Sequence, residues 1–414
     1  MPPSITIAQS KPHKPAYKAV RAAGSDWRDV GQKLLQVIGK AQGPLPEYTT
    51  GFLFITERLA ADAGSLLNLL QDVSGIKSWT GCSGLGVFDG TGISLDEVAA
   101  CVLLANFPQN LVLPIPLQNQ SELQLPDATT AWLTLHSPPF GIVFADPSMV
   151  GDLNAHLATL THKTGAFLIG ALTGGDQQAQ IGKEASVGQF GGVLLAGSIY
   201  VQTAIAQGCL PVGGMHTVTG SHDNAITEID DYPAIDAFTS DLRQMAMASL
   251  GKDPDQIIID TEDPEAMLQL EDQFRDVFQG EIHIGVSITG SDRGDYVVRP
   301  IHAIDPDSEK LVTAEPVPQG TRIRFVRRDD DTMKADLDRM LEGMLNRLSE
   351  APGKPQAALY ISCVARAPMR GAESYELKRI REVLGDIPLA GFYAGGEIFR
   401  EHMHSYTGIL TLFF

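Results

Sequence analysis

The sequence predicts an α/β (α+β) protein: repeated β-α-β-β units forming mixed, largely antiparallel sheets flanked by helices, in two related halves. Three observations carry this. First, the stretch 357–414 reads as strand (AALYISC), helix (SYELKRIREVL), strand (LAGFYAGGEIF) and strand (YTGILTLFF). The strands are short apolar runs rich in β-branched and aromatic residues and bounded by Gly or Pro, whereas Leu377, Ile380 and Leu384 recur at helical spacing. Second, the same order occurs twice earlier. GFLFIT, a helical stretch over 59–73, SWTGCSGLGVF and EVAACVLLANF form one copy; PFGIVFAD, a helical stretch from Met149 to about Thr161, AFLIGALTGGD and SVGQFGGVLLAG form another. Third, every copy carries glycines in its third element, aligned as GCSGLGV from Gly81, GALTGGD from Gly170 and GFYAGGE from Gly391, with Gly at the first and sixth places.

Taken in order, residues 1–14 form a polar leader containing prolines. Val30, Leu34, Leu35 and Ile38 share a face and predict a helix from about Asp26 to Lys40, capped by Ser25 or Asp26. GPLPEYTTG then forces a loop before the first module, which spans about 51–107. The proline-bearing LVLPIPLQNQSELQLPDATT reads as a surface excursion rather than a central strand. The second module spans about 139–197, and a domain boundary is placed near Cys209. Beyond it come a strand, a polar turn at 221–224, a second strand and a helix opened by Pro233. The acidic stretch 253–273 reads as solvated surface. IHIGVSI, DYVVRPIHAI, LVTAEPV and TRIRFVRR predict a mostly antiparallel sheet. In DDDTMKADLDRMLEGMLNRLSE, the stripe Met333, Leu337, Met340, Leu341, Met344, Leu345 and Leu348 predicts a helix packed on a core, its aspartates at the end the macrodipole favours.

Composition narrows the function classes. Of 414 residues, 43% are hydrophobic and 20% charged, as in an ordinary globular protein, and the length suggests two domains. Fifty acidic against 31 basic residues give a net charge of −19, which disfavours nucleic acid and anionic membrane surfaces as partners. Cys82, Cys101, Cys209 and Cys363 lie far apart without a CxxC pair, so no disulfide framework or zinc ribbon is expected. Without an apolar leader or a membrane-length apolar run, the expected location is cytoplasmic. No Walker loop or Rossmann glycine spacing is present, and no cofactor is expected. Glu401, His402 and His404 read as an exposed polar loop rather than a metal site, and Arg293-Gly294-Asp295 as a turn.

With these residues in hand, the chain resembles the FIST sensory domain. The resemblance rests on GCSG in the first half, GCLPVGG followed by TVTGSHDNAITEIDDYPAIDAF, QGTRIRFVRRDD, and ISCVARAPMRGAESYE, IPLAGFYAGGEI and SYTGILTLFF at the end. It implies a FIST N-like domain over 26–208 and a FIST C-like domain over 209–414. It also implies an intracellular signal-input module for small ligands such as amino acids, found alone or fused to kinases, chemoreceptors, cyclic-nucleotide enzymes or an F-box. The partners it implies are a small-molecule ligand and a separate signalling output protein, with a second copy of the chain as an option. FREHMHSYTG departs from the family, carrying two charges and two histidines where small residues and a shorter turn are usual.

The residues themselves suggest a ligand site at the glycine-rich hairpins of the first and last modules, facing one another between the halves. Gly81, Cys82, Ser83 and Gly84 come from the first. Cys363, Arg366, Glu373, Gly391, Gly395, Gly396, Glu397 and Tyr406 come from the last. Glycines open the backbone N–H groups to a ligand. Arg366 offers a planar fork to a carboxylate and Glu397 an acceptor to an ammonium, the combination an α-amino acid needs. The plainer reading of Arg366 is an ion pair with Glu373 or Glu397, and that of Cys82 and Cys363 is core packing. Two rival functions remain open. Cys82 beside Ser83 and glycines supplies the parts of a nucleophile with an oxyanion hole, as in a hydrolase or transferase, with His216 or His404 as base; and the chain could serve as an interaction scaffold without ligand.

Overall fold

Strands that are buried on both faces read as continuous apolar runs, and the centre of this protein is built from such runs. The computed structural model describes residues 16–39, 47–251, 281–288, 296–305, 307–313, 315–368 and 373–414. The leader expected over 1–14, the acidic stretch 253–273 and Arg293–Asp295 lie outside the described residues.

The chain divides into two compact units. Unit 1 comprises residues 1–204, 344–401 and 409–414; unit 2 comprises 205–343 and 402–408. Along the chain each module is preceded by a leading strand and a helix. Strand β1 (Tyr17–Ala23) and helix α1 (Trp27–Ile38) come first, with Asp26 accepting from the backbone N–H groups of Arg28 and Asp29 as the cap. The first module is then β2 (Thr50–Thr56), α2 (Ala63–Ser74), β3 (Ser78–Gly84), β4 (Gly86–Asp89), β5 (Gly92–Leu95) and β6 (Ala99–Ala105). Strand β7 (Val112–Gln118) and helix α3 (Thr129–His136) lead the second: β8 (Phe140–Ala145), α4 (Val150–Thr164), β9 (Phe167–Leu172), β10 (Gln180–Ile181), β11 (Ala185–Ser186) and β12 (Phe190–Leu195). Strand β13 (Val201–Ala206) opens the third set, and the chain then builds unit 2.

Unit 2 contains β14 (Leu210–His222), β15 (Ala225–Ile229), β16 (Tyr232–Pro233), α5 (Ala234–Leu250), β17 (Glu281–Ser287), β18 (Tyr296–Asp305), β19 (Lys310–Thr313) and β20 (Arg322–Arg328). Helix α6 (Asp330–Arg347) returns the chain to unit 1. The third module follows: β21 (Ala357–Cys363), α7 (Tyr375–Leu384), β22 (Leu389–Ala394), β23 (Gly396–Phe399), β24 (His402–His404), which belongs to unit 2, and β25 (Gly408–Phe413).

The three modules exchange hairpins in a ring. In the first sheet the order is β1-β6-β2-β3-β10-β11, so the hairpin of module two closes the sheet of module one. In the second, β7-β12-β8-β9 is followed by β23, from module three. In the third, β13-β25-β21-β22 is followed by β4-β5, from module one. Each sheet is mixed: β2/β3, β8/β9 and β21/β22 are parallel, and the incoming hairpins pair antiparallel. The predicted third elements SWTGCSGLGVF and LAGFYAGGEIF are thus each two strands, broken at Leu85 and Gly395 respectively, that serve two different sheets. The proline-rich segment contributes β7 to the rim of its sheet, where Pro114 and Pro116 need no second hydrogen-bonding neighbour.

Unit 2 is a closed ring of antiparallel strands, β14-β20-β17-β18-β19-β15, in which β14 also pairs with β15 and β16 extends the edge. The four predicted strands are all present as β17 to β20. Helix α5, opened by Pro233 as expected, packs Phe238 and Ala234 into a core with Ile226, Ile284, Ile323 and Phe325. Of the stripe on α6, Leu337, Met340, Leu341 and Met344 are buried, while Leu345 is exposed at the rim. No helix among the described residues is long and apolar enough to cross a membrane.

Candidate functional site

The leading glycines of the three clusters have one common cause. Gly81, Gly170 and Gly391 stand in register beside Leu53, Val143 and Tyr360 of the neighbouring parallel strand. A Cβ on each would lie 1.9, 1.8 and 1.9 Å from that neighbour's carbonyl oxygen. Only glycine tolerates such an approach. The cluster then marks where the chain leaves one sheet for the next. At these crossings Ser83 exchanges hydrogen bonds with the Ala179 backbone: its N–H donates to the Ala179 carbonyl at 2.8 Å, and Ala179 N donates to its side-chain Oγ at 2.9 Å. Leu85 donates to the Tyr393 carbonyl at 2.9 Å and Gly395 to the Leu172 carbonyl at 3.3 Å. Gly84 is packed against Phe392 and the Tyr393 carbonyl. The glycine hairpins of the first and last modules therefore do meet, but backbone to backbone within unit 1.

The remaining residues singled out from sequence fall in separate places. Cys82 is fully buried in β3, and burial pushes its thiol well above the ordinary range, the opposite of what a thiolate nucleophile requires. Cys363 is buried at the end of β21, and Glu397, beside Ala171 in register, is fully buried in β23 next to Gly396. Tyr406 lies in unit 2, its ring stacked on His283 at 5.2 Å with the Arg328 guanidinium 4.6 Å from it. His216, a proposed base, is held in unit 2 by Asp230 and Asp241.

Arg366 is paired with Glu376, whose Oε1 accepts from Nε at 2.7 Å and from Nη2, while Oε2 accepts from Ser362 Oγ at 3.0 Å. The physical reason is the start of α7. Ser374 caps the helix, accepting from Leu377 N at 3.3 Å, so Glu373 falls outside the first turn and is exposed. Glu376 falls inside the turn, on its buried side. The hydroxyls of Tyr360 and Tyr393 approach this cluster, and burial, reinforced by the Glu376 charge, pushes both phenols up.

Glu373 instead borders a cavity of about 440 Å³ within unit 1, between the β4–β5 turn and the beginning of α7. That volume lies in the range of small-molecule sites. Asp89, Thr91 and Glu97 line it from the hairpin, and Glu373, Lys378 and Arg381 from the helix side; Ile93, Leu95 and Leu377 provide apolar wall. The hairpin turn is built around Asp89. Its Oδ1 accepts from Thr91 N (2.8 Å), Thr91 Oγ1 (2.6 Å) and Gly92 N (3.1 Å), and Oδ2 receives no hydrogen bond among the described residues. Arg21 of β1 props the hairpin from behind, 3.5 Å from Asp89 Oδ1 and donating to Ser94 Oγ at 2.6 Å. The cavity thus presents carboxylates from both sides and, on the helix, two cations one turn apart. Asp89, Lys378 and Arg381 were absent from the residues read from sequence. The Asp89-Gly90-Thr91-Gly92 turn carries a hairpin signal that marks the place, though not what packs against it. Among the described residues no group of three or more His, Cys, Asp or Glu is placed to hold a metal ion.

Comparison with known proteins finds a FIST N domain over residues 49–232 and a FIST C domain over 265–400. An uncharacterized protein of Mycobacterium tuberculosis is 26% identical over 279 residues, which is 65% of this chain and 65% of that protein. An uncharacterized protein of Mycobacterium bovis is 29% identical over 218 residues, covering 50% of this chain and 49% of the relative. The chain therefore spans less than two thirds of the length of these curated relatives.

Proposed function

Because the chain belongs to the FIST family, whose N and C domains it carries in tandem, we propose that it is a small-ligand sensor whose ligand site is the cavity between the β4–β5 turn and α7. FIST domains are regarded as sensory and signal-transduction domains. The single observation that carries the reading is the gathering of opposite charges around one cavity: Asp89 and Glu97 from the hairpin side, and Glu373, Lys378 and Arg381 from the helix side. Such a cavity suits a zwitterion, an amino acid or a related metabolite. Its carboxylate would be taken by Arg381 and Lys378 of the helix, and its ammonium by the free Oδ2 of Asp89. Binding at the hairpin turn would be passed to a separate output protein in the cytoplasm.

A thermal-shift screen of the full chain against amino acids and small metabolites tests this. A ligand that binds only the native state raises the melting temperature; at a hundredfold excess over Kd the added stability is about 2.7 kcal/mol. The rise should be lost in Arg381→Ala and in Asp89→Asn, which keeps an acceptor for the turn. A rise that survives both substitutions would place the ligand elsewhere, and no rise across a broad screen would favour the scaffold reading.

A further inference from the structure

Unit 2 holds a histidine whose two ring nitrogens are both engaged by carboxylates. His216, on β14, has Nδ1 2.7 Å from Asp230 Oδ2 and Nε2 2.9 Å from Asp241 Oδ2. A neutral imidazole has one N–H and can donate to only one of them; an imidazolium donates to both. The surroundings are shaped for this contact. Between Val212 and His216 the β14–β20 register slips, and Gly213 adopts φ +67 with its missing Cβ only 2.0 Å from the Asp241 carboxyl carbon. Asp241, from α5, is almost fully buried, whereas Asp230, in the β15–β16 turn, is 44% exposed in its side chain. Asp230 Oδ1 also accepts from Thr217 N at 2.8 Å. From β20 the neighbour is the apolar ring of Phe325, centred 5.9 Å away. The charged groups acting on His216 are thus Asp241 from the helix and Asp230 from the turn.

We propose that His216 is a proton-operated latch: protonated, it ties both α5 and the β15–β16 turn to β14, and on losing its proton it releases the turn. The turn is the side released because Asp230 can rotate into water, while Asp241 would be left charged in the core. Burial works against the charge on His216, but the hydrogen bonds to Asp230 and Asp241 outweigh it and raise its pKa above the ordinary value. The sign follows from linkage. A raised histidine pKa gives stability that is complete below the unfolded-state value near 6.5 and is lost as pH rises through the folded-state value. Each unit between those two values corresponds to about tenfold in the opening equilibrium.

The test uses the full chain labelled at histidine. The His216 ring resonance, assigned by its loss in His216→Gln, should titrate with a midpoint above that of an exposed histidine, and Asp230→Asn, at an exposed position that leaves the core intact, should lower the midpoint. Hydrogen-exchange protection at Thr217 and across the 228–233 turn, corrected for intrinsic rate, should fall as pH rises past the midpoint. In His216→Gln it should be low at every pH. A midpoint at or below the ordinary value, a midpoint unmoved by Asp230→Asn, or protection that is flat with pH in the wild-type chain would each overturn the latch.

Discussion

Arg366 has a fully buried side chain paired with the Glu376 carboxylate, so its role is decided by what removing it would leave behind. In Arg366→Ala the Glu376 carboxylate stays beneath α7 without its cation. Breaking a buried pair from one side costs about 3–5 kcal/mol, and urea unfolding should show a loss of that order. A loss under about 1 kcal/mol would mean that the pair is not structurally important. The ion pair itself was legible in the sequence, since an arginine just after an apolar strand needs a partner. Glu376 as a partner was not. Glu373 and Glu376 differ only by which side of the Ser374 cap they fall on, and a cap one residue away reverses the assignment. The cavity was less legible still. Of the twelve residues expected to form a binding site, Glu373 alone lines it; eight of the others belong to the glycine clusters, whose leading glycines serve close packing.

At the scale of elements, the β-α-β run of each module could be read from periodicity alone. What could not be read was that the third element changes sheets halfway. Apolar alternation reports that a strand is buried but carries no information about which edge it meets, and β4, β10 and β23 each meet an edge supplied by a distant part of the chain. The glycines were the visible trace of that change. Their packing role makes a sharp prediction for Gly170→Ala: the new methyl would sit 1.8 Å from the Val143 carbonyl, which strand separation alone can relieve. Overpacking of this kind typically costs about 1–3 kcal/mol, and a clash with backbone belongs at the upper end of that range. Differential scanning calorimetry should show the drop. Gly165→Ala, at a helix end where a Cβ would meet nothing within 4 Å although φ is +65, should cost far less. Equal losses in the two variants would argue against the carbonyl contact as the cause.

For the whole molecule, the resemblance anticipated two halves along the sequence, and the family domains follow that order. The compact units do not: the stretch 344–401 joins the N-terminal residues in unit 1. A fragment ending at residue 206 would lack β21 to β25 and leave the edges of β9 and β22's partner hairpin β4–β5 without neighbours. Such a fragment should show no cooperative melt by circular dichroism, and adding a peptide of residues 344–414 should restore one. A sharp transition in the fragment alone would mean that two modules suffice.

Because the ring is closed by hairpins and not by the covalent links between modules, those links carry little of the architecture. The passage from leading strand to helix shows it. From β1 to α1 the chain needs only a few residues around Asp26; from β7 to α3 it uses a short proline-marked loop. From β13 to α6, the corresponding place in the third copy, it departs for the whole strand ring of unit 2 and comes back to finish the module. Along the chain the two compact units are then host and guest. The third module is the host's last piece, and unit 2 is a cargo inserted where the host could open without coming apart.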